Sequence, residues 1–545
     1  MEMRIMRVVV VLVLVLGSDC HGCWDQERTA LLLLKPYFDR YVDGVSKWGQ
    51  RANCCEWANV ECDISTGRLT RLFLNTSNSA LVHDFFFDPI VIDALTGWGE
   101  SERKEWYLNV SLFLPFQQLN TLSLSQNNIA GFLNHQEKGE LALSKLEVLD
   151  LSYNLFNNSV LSFFGLFPNL KSLDISSNRL EGEIHVQDNG TELRLMNLET
   201  LDLFGNSFNS SILASIGRLS NLKSLSLTLG VSNITESIDL IDLKALTHLE
   251  DLTLYCYDDS HSLAVTDSNC RLPLQSLSLF PFLKTVDLEG FNIEGTIMTS
   301  QNNKIELRLM NLEMLALDDN IFNSSILPSF GRLSNLKTLR LGGPNLTGSI
   351  DLTELNGLTY LEDLSLDCYD YEDSSLTTTG RPCSLPLESL GLFPSLKTVW
   401  LDGFDIEGST RTSQSDHWHT NFTNLEELVV YSSSLRTNIL GSIRQFTSLK
   451  RLFLRESKMD GSLNILEVEV VDILEGNSGS LQSNTLASAI QHMLHLEWDV
   501  RIRKIGRDYN RAADALARAS RGAPVGETIF DSIPSVVYDL LQEGF

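Results

Sequence analysis

Nine cysteines, nine Asn-x-Ser/Thr sequons and a small set of aromatic residues are the places where this 545-residue chain could do chemistry. Cys23, Cys54, Cys55 and Cys62 cluster near the N-terminus, while Cys256 with Cys270, and Cys368 with Cys383, form two local pairs farther on. Their spacing fits no zinc pattern. Disulfides are therefore the expected chemistry, provided the chain is exported. The sequons at Asn75, Asn109, Asn157, Asn189, Asn209, Asn233, Asn323, Asn345 and Asn421 point to export and glycosylation, and none follows residue 421. His492 and His495 share a helical face, and Asp416, His417 and His419 lie close in sequence, but neither set has the further ligand a metal site needs. No Walker loop, G-x-S-x-G elbow or H-E-x-x-H motif occurs, so no metal and no cofactor is expected.

These residues are carried by a repeat. L-x-x-L-x-L recurs in thirteen registers from Leu119-Leu122-Leu124 to Leu449-Leu452-Leu454, mostly 24 to 28 residues apart. That period predicts an α/β leucine-rich-repeat solenoid with parallel strands on its concave face. In each L-x-L the leucines share one face of a short strand and the residue between them takes the other. One repeat cannot bury its leucines alone, and stacked repeats share a continuous core. With strands roughly 4.8 Å apart, thirteen would span on the order of 60 Å, room for a peptide, a glycan or a protein. Asn127, Asn154, Asn178, Asn206 and Asn320 follow their strands in the extension L-x-L-x-x-N and are expected to bridge to backbone groups of the next coil. Phe291 and Phe404 replace that asparagine, so the later coils are expected to be less regular than the first four.

The middle residues of the strands form the concave row: Ser123, Asp150, Asp174, Asp202, Ser226 and Thr253, then Asp287, Ala316, Arg340, Ser365, Trp400, Val429 and Phe453. Trp400, with Tyr431, Phe453 and Arg455 on neighbouring strands, is the unusual group, because exposed aromatics and arginine dominate binding hot spots. The competing reading is an eroded terminal repeat that exposes them.

Residues 1–22 read as a secretory signal, with Arg4 and Arg7 before the apolar run Val8 to Leu16. That run is too short to cross a bilayer, which takes about twenty residues. No apolar run of about eighteen residues follows residue 23, so no membrane span is expected. The formal charge of −28 favours a soluble extracellular surface and argues against phosphate-backbone binding by the repeats.

An internal duplication is also visible. Leu193-Arg194-Leu195-Met196-Asn197-Leu198-Glu199 recurs at residues 307–313, Gly217 to Lys223 recurs at 331–337, and the block ends near Gly295 and Gly408. Cys23, Glu27 to Leu32, Trp48, Cys54-Cys55-Glu56-Trp57 through Cys62-Asp63 and Thr66-Gly67-Arg68 closely resemble the N-terminal cap of plant leucine-rich-repeat receptor-like proteins. Gly182-Glu183-Ile184, Gly295-Thr296-Ile297 and Gly348-Ser349-Ile350 resemble that family's G-x-I-P turn without its proline. The resemblance covers about residues 1 to 462. It implies perception at the cell surface, with signalling through a receptor-kinase co-receptor.

From Leu463 the chain resembles something else. Arg507-Asp508-Tyr509-Asn510-Arg511-Ala512-Ala513-Asp514-Ala515-Leu516-Ala517 is similar to a signature of the plant ribonuclease-H-like domain related to retroelements. That chemistry needs several carboxylates to hold two divalent metals. By resemblance Asp514 would be one of them, but Val471 stands where another is expected, Lys504 replaces the usual His, and the first half of the domain is missing. The resemblance thus implies an inactive remnant, although seven basic residues between Arg501 and Arg521 could touch a phosphate backbone.

The sequence therefore predicts four segments: a signal peptide at 1–22, an N-terminal cap at 23–68, leucine-rich repeats at 69–462 and a partial ribonuclease-H-like domain at 463–545. The expected function is non-enzymatic recognition of an extracellular ligand or co-receptor in plant defence or development, by a protein secreted or held at the cell surface. The alternatives are a nucleic-acid-binding ribonuclease-H-like protein, or a gene fusion with no function as a whole.

Overall fold

The computed structural model describes residues 23–40, 42–75, 105–133, 143–182, 195–230, 238–257, 270–294, 309–322, 326–343, 346, 348–368, 383–407, 424–435, 446, 448–459, 463–472 and 498–501. The signal peptide, Asn189, Asn233, Asn323, Asn345, Asn421, the histidines 417, 419, 492 and 495, Asp416 and Asp514 lie outside them. The chain divides into two compact units, Met1–Leu263 and Ala264–Phe545.

The first unit opens with a helix, Asp25–Phe38, whose buried residues Glu27, Ala30, Leu31, Leu34 and Phe38 recur at helical spacing. Cys23–Cys54 and Cys55–Cys62 are disulfide-bonded, which resolves the connectivity left open by the sequence. Glu27, fully buried, accepts from Arg68 Nε at 2.7 Å and from the Leu69 N–H at 3.1 Å. The Arg68 guanidinium also lies over the Trp24 ring, 4.0 Å from its centroid. Removing one partner of a buried pair strands the other, so Glu27→Ala is expected to cost roughly 3 kcal/mol. Tryptophan-detected urea unfolding would show this as a lower midpoint, and an unchanged midpoint would contradict it.

The cap ends in a hairpin that converts to a parallel stack. Val60–Cys62 pairs antiparallel with Leu69–Phe73, which then pairs parallel with Thr121–Ser123. Leu69-Leu72-Leu74 is thus a fourteenth register, beyond the thirteen counted from sequence. From there Leu72, Leu122, Leu149, Leu173, Leu201, Leu225 and Leu252 stand opposite one another across successive parallel strands. All are buried. Short helical turns close the other side, among them Asn158–Leu166, Ile212–Ile216 and Leu240–Leu243. Phe116, Phe156, Phe164 and Phe208 fill the space between turns and strands.

The second unit repeats the plan. Val286, Leu315, Leu339, Leu364, Val399, Leu428 and Leu452 stand opposite one another on parallel strands from Thr285–Glu289 to Arg451–Met459; register partners are recorded from Val286 to Leu315 and on through each later pair. A second row of short parallel pairings, Cys383–Pro386 with Phe404–Glu407 and then Ser434–Leu435, runs alongside. Cys368 and Cys383 are bridged, and Cys256 and Cys270 are also disulfide-bonded cysteines. Leu463–Asp472 pairs antiparallel with Arg451–Met459, and Trp498–Arg501 pairs antiparallel in turn with Leu463–Asp472. Parallel pairing therefore gives way to antiparallel pairing at Leu463.

The asparagines bridge between coils, but to the preceding coil and not, as expected, to the next one. In the first unit, Asn178 Nδ2 donates to the carbonyls of Leu151, Ile175 and Ser176 while its Oδ1 accepts from the Phe156 N–H. In the second, Asn320 bonds the Leu288 and Asp318 carbonyls and the Phe291 N–H. The expected loss of regularity is confined to the turns. Phe291 and Phe404 replace the polar bridge with buried rings, and Ser433 restores part of it by accepting from the Phe404 N–H, while the leucine register runs on unbroken.

Candidate ligand-binding surface

Residues two apart on a strand share a face. Each strand therefore presents the residue between its leucines and the residue just after them, both turned away from the leucine core. Sequence reading considered the first of these rows along the whole chain and the second only at Tyr431 and Arg455.

In the first unit the rows are acidic and hydroxylic. Asp150, Asp174 and Asp202 are consecutive register partners. Each uses one oxygen locally: Asp150 Oδ1 accepts from the Ser152 N–H and hydroxyl, Asp174 Oδ1 from those of Ser176, and Asp202 Oδ1 from the Phe204 N–H. The repeated L-D-L-S is thereby explained as a turn cap at the strand end. Burial, with the like charges of Asp202 and Asp150, pushes the Asp174 carboxyl up to about 6. Asp202 is raised chiefly by burial.

In the second unit the face has two parts. Arg340 holds Asp318 at 2.8 Å. The next residue along the second row from Asp318 is Gly342, where a Cβ would fall 3.0 Å from Asp367 Cβ and 3.5 Å from Asp318 Oδ1, so glycine leaves the two carboxylates room to approach. Asp318 Oδ1 and Asp367 Oδ1 are buried atoms with no hydrogen-bond partner among the described residues. Burial raises Asp318 to about 6 against the pull of Arg340. Burial and then the charges of Asp318 and Asp402 push Asp367 up to about 8.

The aromatic part adjoins it. Trp400 is the register partner of Ser365 on one side and Val429 on the other, and Asp402 is the partner of Asp367 and Tyr431. The Trp400 and Tyr431 rings stack with centroids 5.1 Å apart and planes 12° apart, and the Phe453 ring lies 5.7 Å beyond Tyr431. Val429, between Trp400 and Phe453 in the register, is 5% exposed, whereas Trp400 is 42% exposed. Three of the four residues chosen from sequence are therefore brought together as one shelf. Arg455 is the backbone partner of Tyr431, but its side chain lies outside the described residues. The carboxylates beside the shelf were missed, although the same two-residue rule would have found them.

Of the sequon asparagines, Asn109 and Asn157 cap short turns by accepting from the N–H of Ser111 and Ser159, and Asn209 does the same for Ser211. Asn75 follows the strand Leu69–Phe73 and is half-buried. Among the described residues no helix is long and apolar enough to cross a membrane, and no group of three or more side chains could hold a metal.

No family model matches the chain. It is similar to Receptor-like protein 9a of Arabidopsis thaliana, 36% identical over 194 residues that make up 35% of this chain and 18% of that protein. It is also similar to Receptor-like protein 9b of the same plant, 33% identical over 216 residues, 38% of this chain and 20% of that protein. The chain thus spans about a fifth of the length of these curated relatives. Among solved structures, the ectodomain of the Arabidopsis receptor kinase HAESA in complex with an N-terminally extended IDA peptide hormone superposes with a TM-score of 0.50 at 23% identity, covering 80% of this chain and 66% of that one. That likeness shows the leucine-rich-repeat fold.

Proposed function

We propose that the protein is a receptor-like leucine-rich-repeat module that recognises an extracellular ligand and has no catalysis of its own. The observation that carries this reading is the shelf of Trp400, Tyr431 and Phe453, a stacked aromatic surface standing open on a rigid parallel sheet. Rings held in one orientation lose little entropy when a partner covers them, which is why aromatics anchor interfaces. Similarity to receptor-like proteins supports the same reading, as does the HAESA ectodomain's complex with a peptide hormone. A peptide is accordingly the favoured ligand class, with signalling delegated to a receptor-kinase co-receptor. The capped, disulfide-bonded start and the sequons suit a secreted or cell-surface protein.

The test uses the full chain, secreted and oxidised, immobilised against a random-sequence peptide display library. Wild type is expected to retain a defined set of peptides. Trp400→Ala with Tyr431→Ala should weaken them by roughly thirtyfold or more, as at an interface hot spot. The urea midpoint should fall only modestly, because Trp400 is 42% exposed and Tyr431 is half-buried, outside the leucine core. If no retained peptide depends on the two rings, the proposal is wrong.

A further inference from the structure

The duplicated block provides an internal comparison of which positions changed after copying. Leu201, Leu203, Asn206 and Leu225 are matched in the second copy by the identical Leu315, Leu317, Asn320 and Leu339. The flanking Glu199 and Lys223 are matched by Glu313 and Lys337, with the ion pair kept at 2.7 Å in one and 2.6 Å in the other. The outward rows behave differently. Asp202, Phe204, Ser226, Thr228 and Tyr255 are matched by Ala316, Asp318, Arg340, Gly342 and Asp367. Core and flank were kept while the open face was rewritten. That is the pattern expected where the face, and not the scaffold, determines what is bound.

The number of acids is unchanged but their places are not: Phe204 and Tyr255 are matched by Asp318 and Asp367, Asp202 and Asp287 by Ala316 and Trp400, and Glu289 by Asp402, so acids now stand beside a new aromatic. One cation was added, Arg340, and it holds Asp318 at 2.8 Å. Asp367 stands in the row of Asp318 on the strand next to that of Trp400, while Asp402 lies on the same strand as Trp400 and is the direct register partner of Tyr431. Neighbouring strands are about 4.8 Å apart, so Asp367 is one strand-spacing from Trp400 and Asp402 one from Tyr431. An electron-rich ring face beside carboxylates attracts a cation by two mechanisms at once, cation–π attraction and charge-assisted hydrogen bonding. Asp367 Oδ1 is buried without a hydrogen-bond partner among the described residues, so the carboxyl gains an acceptor contact if it turns outward to meet a guanidinium or ammonium donor.

We infer that this face of the second unit takes a basic side chain, arginine or lysine, of a peptide ligand, held over the Trp400–Tyr431 stack and against Asp367 and Asp402. The inference rests on the peptide-recognition reading above and specifies its ligand chemistry. It also predicts a proton. Burial first, and then the charges of Asp318 and Asp319 beside one strand and Asp402 on the other side, push the Asp367 carboxyl up to about 8 against the pull of Arg340. At neutral pH an arriving cation would therefore find it protonated and displace the proton, so affinity should rise between pH 6 and pH 8.

The experiment is the same library selection on the full chain at physiological ionic strength, followed by exchange of each arginine in the selected peptides for neutral, near-isosteric citrulline. Selected peptides are expected to share a basic residue, and its exchange should weaken binding roughly tenfold or more. Asp367→Asn with Asp402→Asn should abolish the preference for that residue, while Glu354→Gln, an acid on an exposed turn, should leave it intact and so control for net charge. Calorimetry in buffers of different ionisation enthalpy should show proton release in wild type and not in Asp367→Asn. Peptides that depend on Trp400 and Tyr431 but tolerate citrulline would overturn this inference and leave peptide recognition standing. The absence of any ring-dependent peptide would overturn both.

Discussion

Asn154→Ala is expected to destabilise the first unit by roughly 4 kcal/mol or more, far beyond what removing one surface hydrogen bond does. Asn154 is 4% exposed and uses its whole amide. Its Nδ2 donates to the carbonyls of Leu124, Leu151 and Ser152 at 2.9, 3.0 and 3.1 Å, and its Oδ1 accepts from the N–H groups of Asn127 and Ile129 at 3.2 and 2.9 Å. Alanine leaves the buried Ile129 N–H and the part-buried Asn127 N–H without this acceptor, and strands the carbonyls its amide served; each buried unsatisfied group costs about 1–3 kcal/mol. The neighbouring coils are tied through the same side chain, so the damage should spread. Hydrogen exchange at Asn127 and Ile129 is expected to accelerate together. Asn221→Ala is the control: that amide is exposed and donates once, to the Met196 carbonyl at 2.6 Å. Urea unfolding followed by circular dichroism should separate the two variants clearly. Equal midpoints would mean that the asparagine column is not what holds adjacent coils together.

The asparagine column was legible because its signal is local: six residues, L-x-L-x-x-N, contain both the strand and its bridge. The leucine register was legible for the same reason. Leu69-Leu72-Leu74 was passed over because it lies directly after the cap hairpin, and only pairing with Thr121–Ser123 marks it as a repeat strand. Another feature stood in the sequence unread. From Leu146 onward the residue after the first leucine of each register alternates in sign, through Glu147, Lys171, Glu199, Lys223 and Glu250 in the first unit and Lys284, Glu313, Lys337, Glu362, Lys397, Glu426 and Lys450 in the second. Stacking places these residues side by side, with ion pairs at 3.0 Å for Lys171–Glu147, 2.6 Å for Lys397–Glu362 and 2.9 Å for Lys450–Glu426. They are exposed, so each contributes little, but together they relieve a flank that would otherwise repel itself.

The candidate site was only half legible. Trp400, Tyr431 and Phe453 stood out by residue type. Asp318 and Asp367 did not, because an aspartate after a leucine strand looks like any turn residue. Their character comes from neighbours in other coils: the room left at Gly342, the cation at Arg340 and the enclosure on both sides. Burial of a charge is a property of the stack and not of the segment.

Asp367→Asn should therefore raise stability at pH 8 and change it little at pH 4. In the folded protein the Asp367 carboxyl keeps its proton to about 8, chiefly because burial penalises the charged form and then because Asp318 and Asp402 repel it, whereas the reference value is 3.8. A raised folded pKa stabilises the fold fully below the unfolded value, and that contribution is lost as pH climbs toward the folded value. The loss accrues at about 1.4 kcal/mol per pH unit, so wild type should surrender on the order of 4 kcal/mol at this one position between pH 4 and pH 7. Asparagine keeps the size and has no charge to bury. Urea midpoints of wild type and Asp367→Asn at pH 4, 6 and 8 should diverge steadily, and a difference that stays constant across the three would refute the buried-carboxylate account. A wild-type carboxylate that weakens its own fold at neutral pH is a cost with no structural return inside the coil. Its return lies at the open face, where a basic side chain would add a counter-charge to that of Arg340. The same substitution that strengthens the empty protein is thus expected to remove its preference for cationic peptides, and strengthening without that loss would separate the buried carboxylate from ligand binding.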